Sequence, residues 1–104
     1  MIRSKENFNL MVGETNYSND VVNVEHIKVA NTTINRVTLL PGSLSVECVG
    51  ECFVLFTGSL ITVNGESTIM GDAGFIEGDV KFENNQAWPM DFMIIGKIKI
   101  KEQE

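Results

Sequence analysis

Two glutamates, Glu47 and Glu51, stand close together in the otherwise small and apolar run from Leu44 to Phe56. If both faced a low-dielectric interior, their repulsion would push their pKa values apart and make an acid–base pair. The plainer alternative is a pair of solvated carboxylates beside a turn at Gly50. Arg36 lies between apolar positions, Ile34 and Val37. Carried inward, its guanidinium would need an anion to offset desolvation, and phosphate or carboxylate would supply one through paired hydrogen bonds. Carried outward, it would be a solvated or subunit-contact cation. Under strict alternation Thr38 shares the Arg36 face, opposite Val37 and Leu39. Phe53, Phe82 and Trp88 would supply rings against which a base or ligand stacks, although aromatics in a small β domain also fill its core. The candidate site is therefore Glu51 and Glu47 as catalytic groups, with Arg36, Thr38, Phe53, Phe82 and Trp88 as ligand contacts.

Other reactive residues suggest less. His26 is the only histidine. It cannot build an imidazole-rich metal site, but it would serve as a proton shuttle, its reference pKa being about 6.5; the alternative is a half-exposed strand residue. Cys48 and Cys52 match neither the redox C-x-x-C spacing nor a zinc knuckle and read as buried reduced thiols. Glu77-Gly78-Asp79 lacks the ligand count of a calcium loop. No nucleophile elbow, P-loop or dinucleotide fingerprint is present.

The elements that must position these residues read as strands. Helical periodicity is nearly absent, and β-branched and aromatic residues cluster in runs of four to seven. Strands are expected at Val21–Ala30, Ile34–Leu40, Leu44–Val49 and Glu51–Thr57, with the last central because its middle is apolar on both faces. Asn64-Gly65 predicts a type I′ hairpin joining Ser59–Val63 to Glu66–Met70. Shorter strands follow at Ala73–Ile76, Val80–Glu83 and Asp91–Ile95, separated by Gly-containing turns. Lys97-Ile98-Lys99-Ile100-Lys101 alternates perfectly, and lysine on one face suits a strand near a sheet edge. That face is either solvated or a basic ligand-binding stripe. Around nine short strands point to an all-β jelly roll or small barrel. We expect one domain over residues 1–104, an irregular arm over 1–20 followed by a barrel over 21–101.

Composition narrows the partners. At 104 residues, 43% hydrophobic, the chain can fill one core. A formal charge of −6 disfavours nucleic acid and anionic membrane surfaces. The N-terminus lacks the apolar core of a signal peptide, and the longest apolar run, Cys52 to Phe56, is too short to span a bilayer. A soluble, cytoplasmic protein is expected.

From Pro41 onward the sequence resembles the cupin superfamily. A Pro-Gly turn and a strand precede Glu51, and Gly58 follows it after six intervening residues; Gly71-Asp72-Ala73-Gly74-Phe75-Ile76 looks like the opening of the second cupin block. Metal-dependent cupins hold an ion with a His-x-His pair, a Glu and a later His. In register with Glu51 those histidines fall on Ser45, on Glu47 and near Phe82, so only Glu51 keeps a ligand's position. The resemblance thus implies a cupin-like jelly-roll barrel with no metal site and no cofactor.

Within that superfamily the chain is similar to the small pyrimidine/purine nucleoside phosphorylases. The resemblance rests on Met1-Ile2, Ser4, Glu6 and Phe8, then on Val37 to Gly42, Glu51, Val54, Gly58, Gly71, Phe75 and Phe82. The Glu-Tyr-x-Phe segment of that family is replaced here by Ser43-Leu44-Ser45-Val46, and its ending by a lysine-rich tail. The resemblance implies cleavage of a nucleoside by phosphate to free base and pentose 1-phosphate. Arg36 would then position phosphate, an aromatic ring would hold the base, and Glu51 or Glu47 would bind ribose hydroxyls. A barrel that binds a small polar metabolite or nucleotide without changing it is the other expectation, so enzymatic activity stays open. Homodimerisation is expected in either case, since symmetric pairs are the commonest oligomers.

Overall fold

The protein is described here by a computed structural model covering residues 14–56, 60–69 and 71–101. Its described residues contain strands and turns and no helix, so none is long and apolar enough to cross a membrane. The strands are β1 (Glu14–Ser18), β2 (Val22–Val29), β3 (Thr32–Leu39), β4 (Gly42–Leu55), β5 (Thr62–Val63), β6 (Glu66–Ser67), β7 (Ala73–Asn84) and β8 (Met90–Ile100). They form one antiparallel sheet in the order β1-β2-β3-β8-β4-β7-β5-β6. The expected all-β jelly-roll class is thereby met.

Three glycines that read as breaks in the sequence are instead bends within long strands. Leu44–Val49 and Glu51–Thr57 join into β4, and the pairs of segments after Gly71 and after Trp88 join into β7 and β8. Gly50, Gly78 and Gly96 have φ of +80°, +68° and +133°, values that a side chain disfavours. They fall at one level of the sheet: Cys48 pairs with Gly78, and Val49 with Lys97. Opposite β7, Val49 and Gly50 are two residues in excess, since Cys48 pairs with Gly78 and Glu51 with Glu77.

The bends fold the sheet over on itself. Phe82 pairs through β4 with Leu44, whereas Phe92 precedes Met93, the partner of Leu55. In a flat sheet these two rows would lie roughly 35–40 Å apart at about 3.3 Å per residue. Their ring centroids are 4.7 Å apart, with Phe56 packed on both. The enclosed space is filled by alternate residues of each strand, among them Val24, Val37, Leu39, Leu44, Val46, Val54, Val80 and Ile94. Asn84 is buried within it and donates from Nδ2 to Leu39 O and Trp88 O, both at 2.8 Å, locking the β7–β8 loop to the end of β3.

The Asn64-Gly65 hairpin forms as expected, both residues having positive φ, +49° and +86°. β1 begins inside the segment expected to be an irregular arm. It pairs with β2 from Glu14↔His26 to Ser18↔Asn23, and Tyr17 packs against the core. Residues 1–13 of that arm lie outside the described residues.

Candidate functional site

Alternation decides where each expected site residue points. Because the β4 bulge adds two residues, the alternation resumes in phase after it, leaving Leu44, Val46, Cys48, Cys52 and Val54 buried. Glu47 and Glu51 therefore both face outward and are exposed, which corrects the expectation that they could face the interior together. Glu47 stands across from Lys99 and Asp79, and Glu51 across from Glu77. Arg36 and Thr38 are half-buried on the outer face too, opposite the buried Val37 and Leu39. The Arg36 guanidinium is ion-paired with Glu25, its register partner on β2, and its Nε donates to that carboxylate at 2.7 Å. Phe53 is also on the outer face, edge-on to Phe75 with centroids 5.2 Å apart. Phe82 is sealed in the core, and Trp88 is 56% exposed on the β7–β8 loop. The fold does not gather these seven residues into one site.

It gathers a different set where β8 parts from β3. Pairing between them stops at Ile34↔Ile95; past the Gly96 bend, β8 follows β4 alone, from Val49↔Lys97 to Val46↔Ile100. The end of β8 is thus locally an edge, as its lysine alternation suggested. The gap is a crevice of about 500 Å³. The β2–β3 hairpin contributes His26, Lys28, Thr33 and Asn35, and the opposite wall is Val49, Lys97, Ile98 and Lys99. The inner stripes of β2 and β3 supply the hairpin side: Val22 and Val24 continue to His26 and Lys28, Leu39 and Val37 to Asn35 and Thr33.

The crevice has a cationic mouth and a polar floor. Lys28, Lys97 and Lys99 are exposed, and none forms an ion pair with a described residue, whereas Lys101 pairs with Asp79 at 2.9 Å. Among the described residues no Asp or Glu lines the crevice. On the floor, Asn35 is 1% and Thr33 6% exposed. Asn35 Nδ2 donates to Ile94 O at 3.0 Å and Gly96 O at 2.8 Å, tying down β8 where the strands separate. Beneath the opposite wall, Cys52 Sγ donates to Lys97 O at 3.4 Å. Cys48 is its buried neighbour, and desolvation, aided by the Cys52 thiol, pushes the Cys48 pKa up to about 12.

A second groove, about 390 Å³, runs between the β5–β6 hairpin and the start of β7, with Glu66, Asp72 and the exposed Phe75 on its walls. Its described lining holds acids and no cation. Among the described residues no three His, Cys, Asp or Glu side chains converge as a metal site.

Of the crevice residues, His26, Lys97 and Lys99 are singled out by their sequence context, whereas Lys28, Thr33 and Asn35 are not. The missed signal was the polar continuation of two apolar stripes at one end of a hairpin.

No protein-family model and no curated protein sequence matches this chain. Solved structures do. A protein of unknown function from Vibrio parahaemolyticus superposes with a TM-score of 0.65 at 13% identity, over 81% of this chain and 96% of that one. A cupin-superfamily sugar phosphate isomerase from Silicibacter pomeroyi gives 0.60 at 17% identity, over 88% and 76%. Oxalate decarboxylase from Bacillus subtilis gives 0.64 at 17% identity, over 81% of this chain and only 27% of that one. At these identities the likeness is one of fold, and the fold is cupin-like.

Proposed function

We propose that this chain is a cupin-fold binding protein that holds a small anionic metabolite in the crevice between β3 and β8. The observation that carries the reading is the gathering of Lys28, Lys97, Lys99 and His26 around a crevice whose described lining has no acid, in a chain of net charge −6. Lys28, Lys97 and Lys99 form no ion pair with a described residue, although Glu47 stands across from Lys99, and a bound anion would offset their mutual repulsion. The volume falls within the range of roughly 300–1,000 Å³ usual for small-molecule sites. The S. pomeroyi neighbour, by its name, acts on sugar phosphates, which are ligands of the same charge class.

Calorimetric titration with inorganic phosphate and with chloride, at matched ionic strength, tests the reading. Saturable phosphate binding should weaken at least about tenfold in Lys97→Glu/Lys99→Glu, a loss of roughly 1.4 kcal/mol. Phosphate that does not bind, or binds equally to the variant, overturns it.

Nucleoside phosphorolysis is the second reading, favoured by the same cations because they would hold the attacking phosphate. A phosphate oxygen would displace the base at C1′, and the departing base would take up a proton. Arg36, Glu47 and Glu51 lie outside the crevice, so this chemistry would have to use His26, Thr33 and Asn35. Free base that appears only with phosphate, and disappears in the lysine variant, would replace the binding reading with this one.

We further propose that the protein forms a homodimer through the outer face. Ile27, Ile34, Ile95, Phe53 and Phe75 pair in register across five strands into one apolar row, and Phe75 is 68% exposed. The adjacent row carries Arg36, cancelled by Glu25. The row on the other side carries the exposed Glu51 and Glu77, so two copies would meet on the apolar row against the like-charge repulsion of those acids.

A further inference from the structure

We infer that the crevice ligand is the phosphate monoester of an aliphatic polyol, with its phosphate among the lysines and a hydroxyl on Thr33 and Asn35. This rests on the anion-binding reading above. The chemistry of the floor selects the hydroxyl. Asn35 spends both N–H donors on Ile94 O and Gly96 O, so its amide orientation is fixed and Oδ1 faces the task of acceptor only. Among the described residues nothing donates to that oxygen, and the Thr33 hydroxyl has no hydrogen-bond partner either. Both groups are buried, and buried polar atoms are rarely left unpaired. A ligand that completes them must bring a donor for Asn35 Oδ1 and a group that can donate to or accept from Thr33. An alcohol hydroxyl does both; a carboxylate or chloride has no proton to donate to Asn35 Oδ1.

The mouth sets the rest of the ligand. Three lysines suit a phosphate monoester, which carries about −1.5 to −2 charge at pH 7, better than a monoanion. Between mouth and floor the walls are Val49 and Ile98, aliphatic surfaces on which a sugar's carbon face can pack. Among the described residues no Phe, Tyr or Trp lines the crevice, so a nucleobase would find only the His26 imidazole to stack on.

The test is calorimetric titration of the full chain with ribose 5-phosphate, inorganic phosphate, ribose and adenosine 5′-monophosphate. Ribose 5-phosphate should bind about tenfold more tightly than inorganic phosphate, the worth of one well-made hydrogen bond. Thr33→Val, nearly isosteric, should abolish that preference while leaving phosphate affinity within twofold. The unliganded variant should melt no lower than wild type, because the hydroxyl it loses has no partner among the described residues. Thr33→Ser should keep the preference and guards against misfolding of the Val variant. If phosphate binds but the ester is no better, the polyol assignment falls and the anion site stands; if neither binds, both fall. A preference that survives Thr33→Val, or tighter binding of the nucleotide than of the sugar phosphate, also overturns the inference.

Discussion

Gly96 makes the crevice possible, and adding one methyl group there should undo it. Its φ of +133° is disfavoured for any residue with a side chain, and a Cβ would lie 2.7 Å from Cys52 Sγ, 3.2 Å from its Cβ and 3.4 Å from its Cα. The backbone cost is about 1–3 kcal/mol, and overpacking adds about 1–3 kcal/mol. Together these put Gly96→Ala near 3–4 kcal/mol. For a domain of this size each kcal/mol lowers Tm by about 4 °C or more, so the loss should exceed about 12 °C. Part of it is the clash with one sulfur atom, which can be removed separately. Cys52→Ala alone should cost about 1–2 kcal/mol for a small cavity and the weak bond to Lys97 O. In the double variant the sulfur clash is gone, while the φ strain and the crowding against the Cys52 backbone remain. The pair should therefore be less destabilised than the sum of the singles, by about 1–2 kcal/mol. Equilibrium urea unfolding of the four proteins measures this coupling. A Gly96→Ala cost below about 1 kcal/mol, or additivity within about 0.5 kcal/mol, would refute the close approach of β8 to β4 at the bend.

Two further outcomes are expected. The folded state holds the Cys48 proton up to about pH 12, while the unfolded thiol ionises near its ordinary value of 9.0. Stability from this group is therefore fully present below pH 9 and falls as pH rises from 9 towards 12, by roughly 1 kcal/mol per unit; urea midpoints at pH 8 to 11 should show the decline in wild type and a shallower one in Cys48→Val, and parallel curves would contradict it. Phe75→Lys should convert a dimer to monomer in sedimentation equilibrium with Tm changed by little, since that ring is exposed within one copy; an unchanged association state would remove the outer row as the interface.

The strands were legible in the sequence and their joins were not. Runs of alternating residues placed β2, β3 and the Asn64-Gly65 hairpin, because burial on one face writes a period of two into any strand. Gly50, Gly78 and Gly96 read as ends of strands, since a glycine with positive φ makes a turn and a bend with the same local conformation. Which one forms depends on whether the neighbouring strands bend at the same level, and that is a property of pairing rather than of either segment. The site failed for a related reason. Glu47 and Glu51 read either as an inward pair or as solvated carboxylates beside the turn at Gly50. They share a phase of the alternation, and the inserted pair of residues at the bulge keeps both on the outer face. Arg36 turned outward to Glu25, the plainer of its two readings.

The crevice joins three features that each have a bland explanation when taken alone. Polar residues late in β2 and early in β3 look like the frayed end of a hairpin; alternating lysines in β8 look like an edge; Gly96 looks like a break. The register makes them one feature. Ile34↔Ile95 is the last pair between β3 and β8, and the next residue is Gly96. Beyond that pair the hairpin's inner stripe loses the strand beside it at the level where it turns polar, and the lysines begin where β8 gains an open side. If β3 and β8 merely frayed there, nothing would require the buried Asn35 amide to take both Ile94 O and Gly96 O. That clamp satisfies the backbone of the parting strand from within the hairpin and fixes the separation as part of the fold. A gap held open by a buried side chain, whose floor oxygens and rim cations have no partner among the described residues, costs stability unless something occupies it.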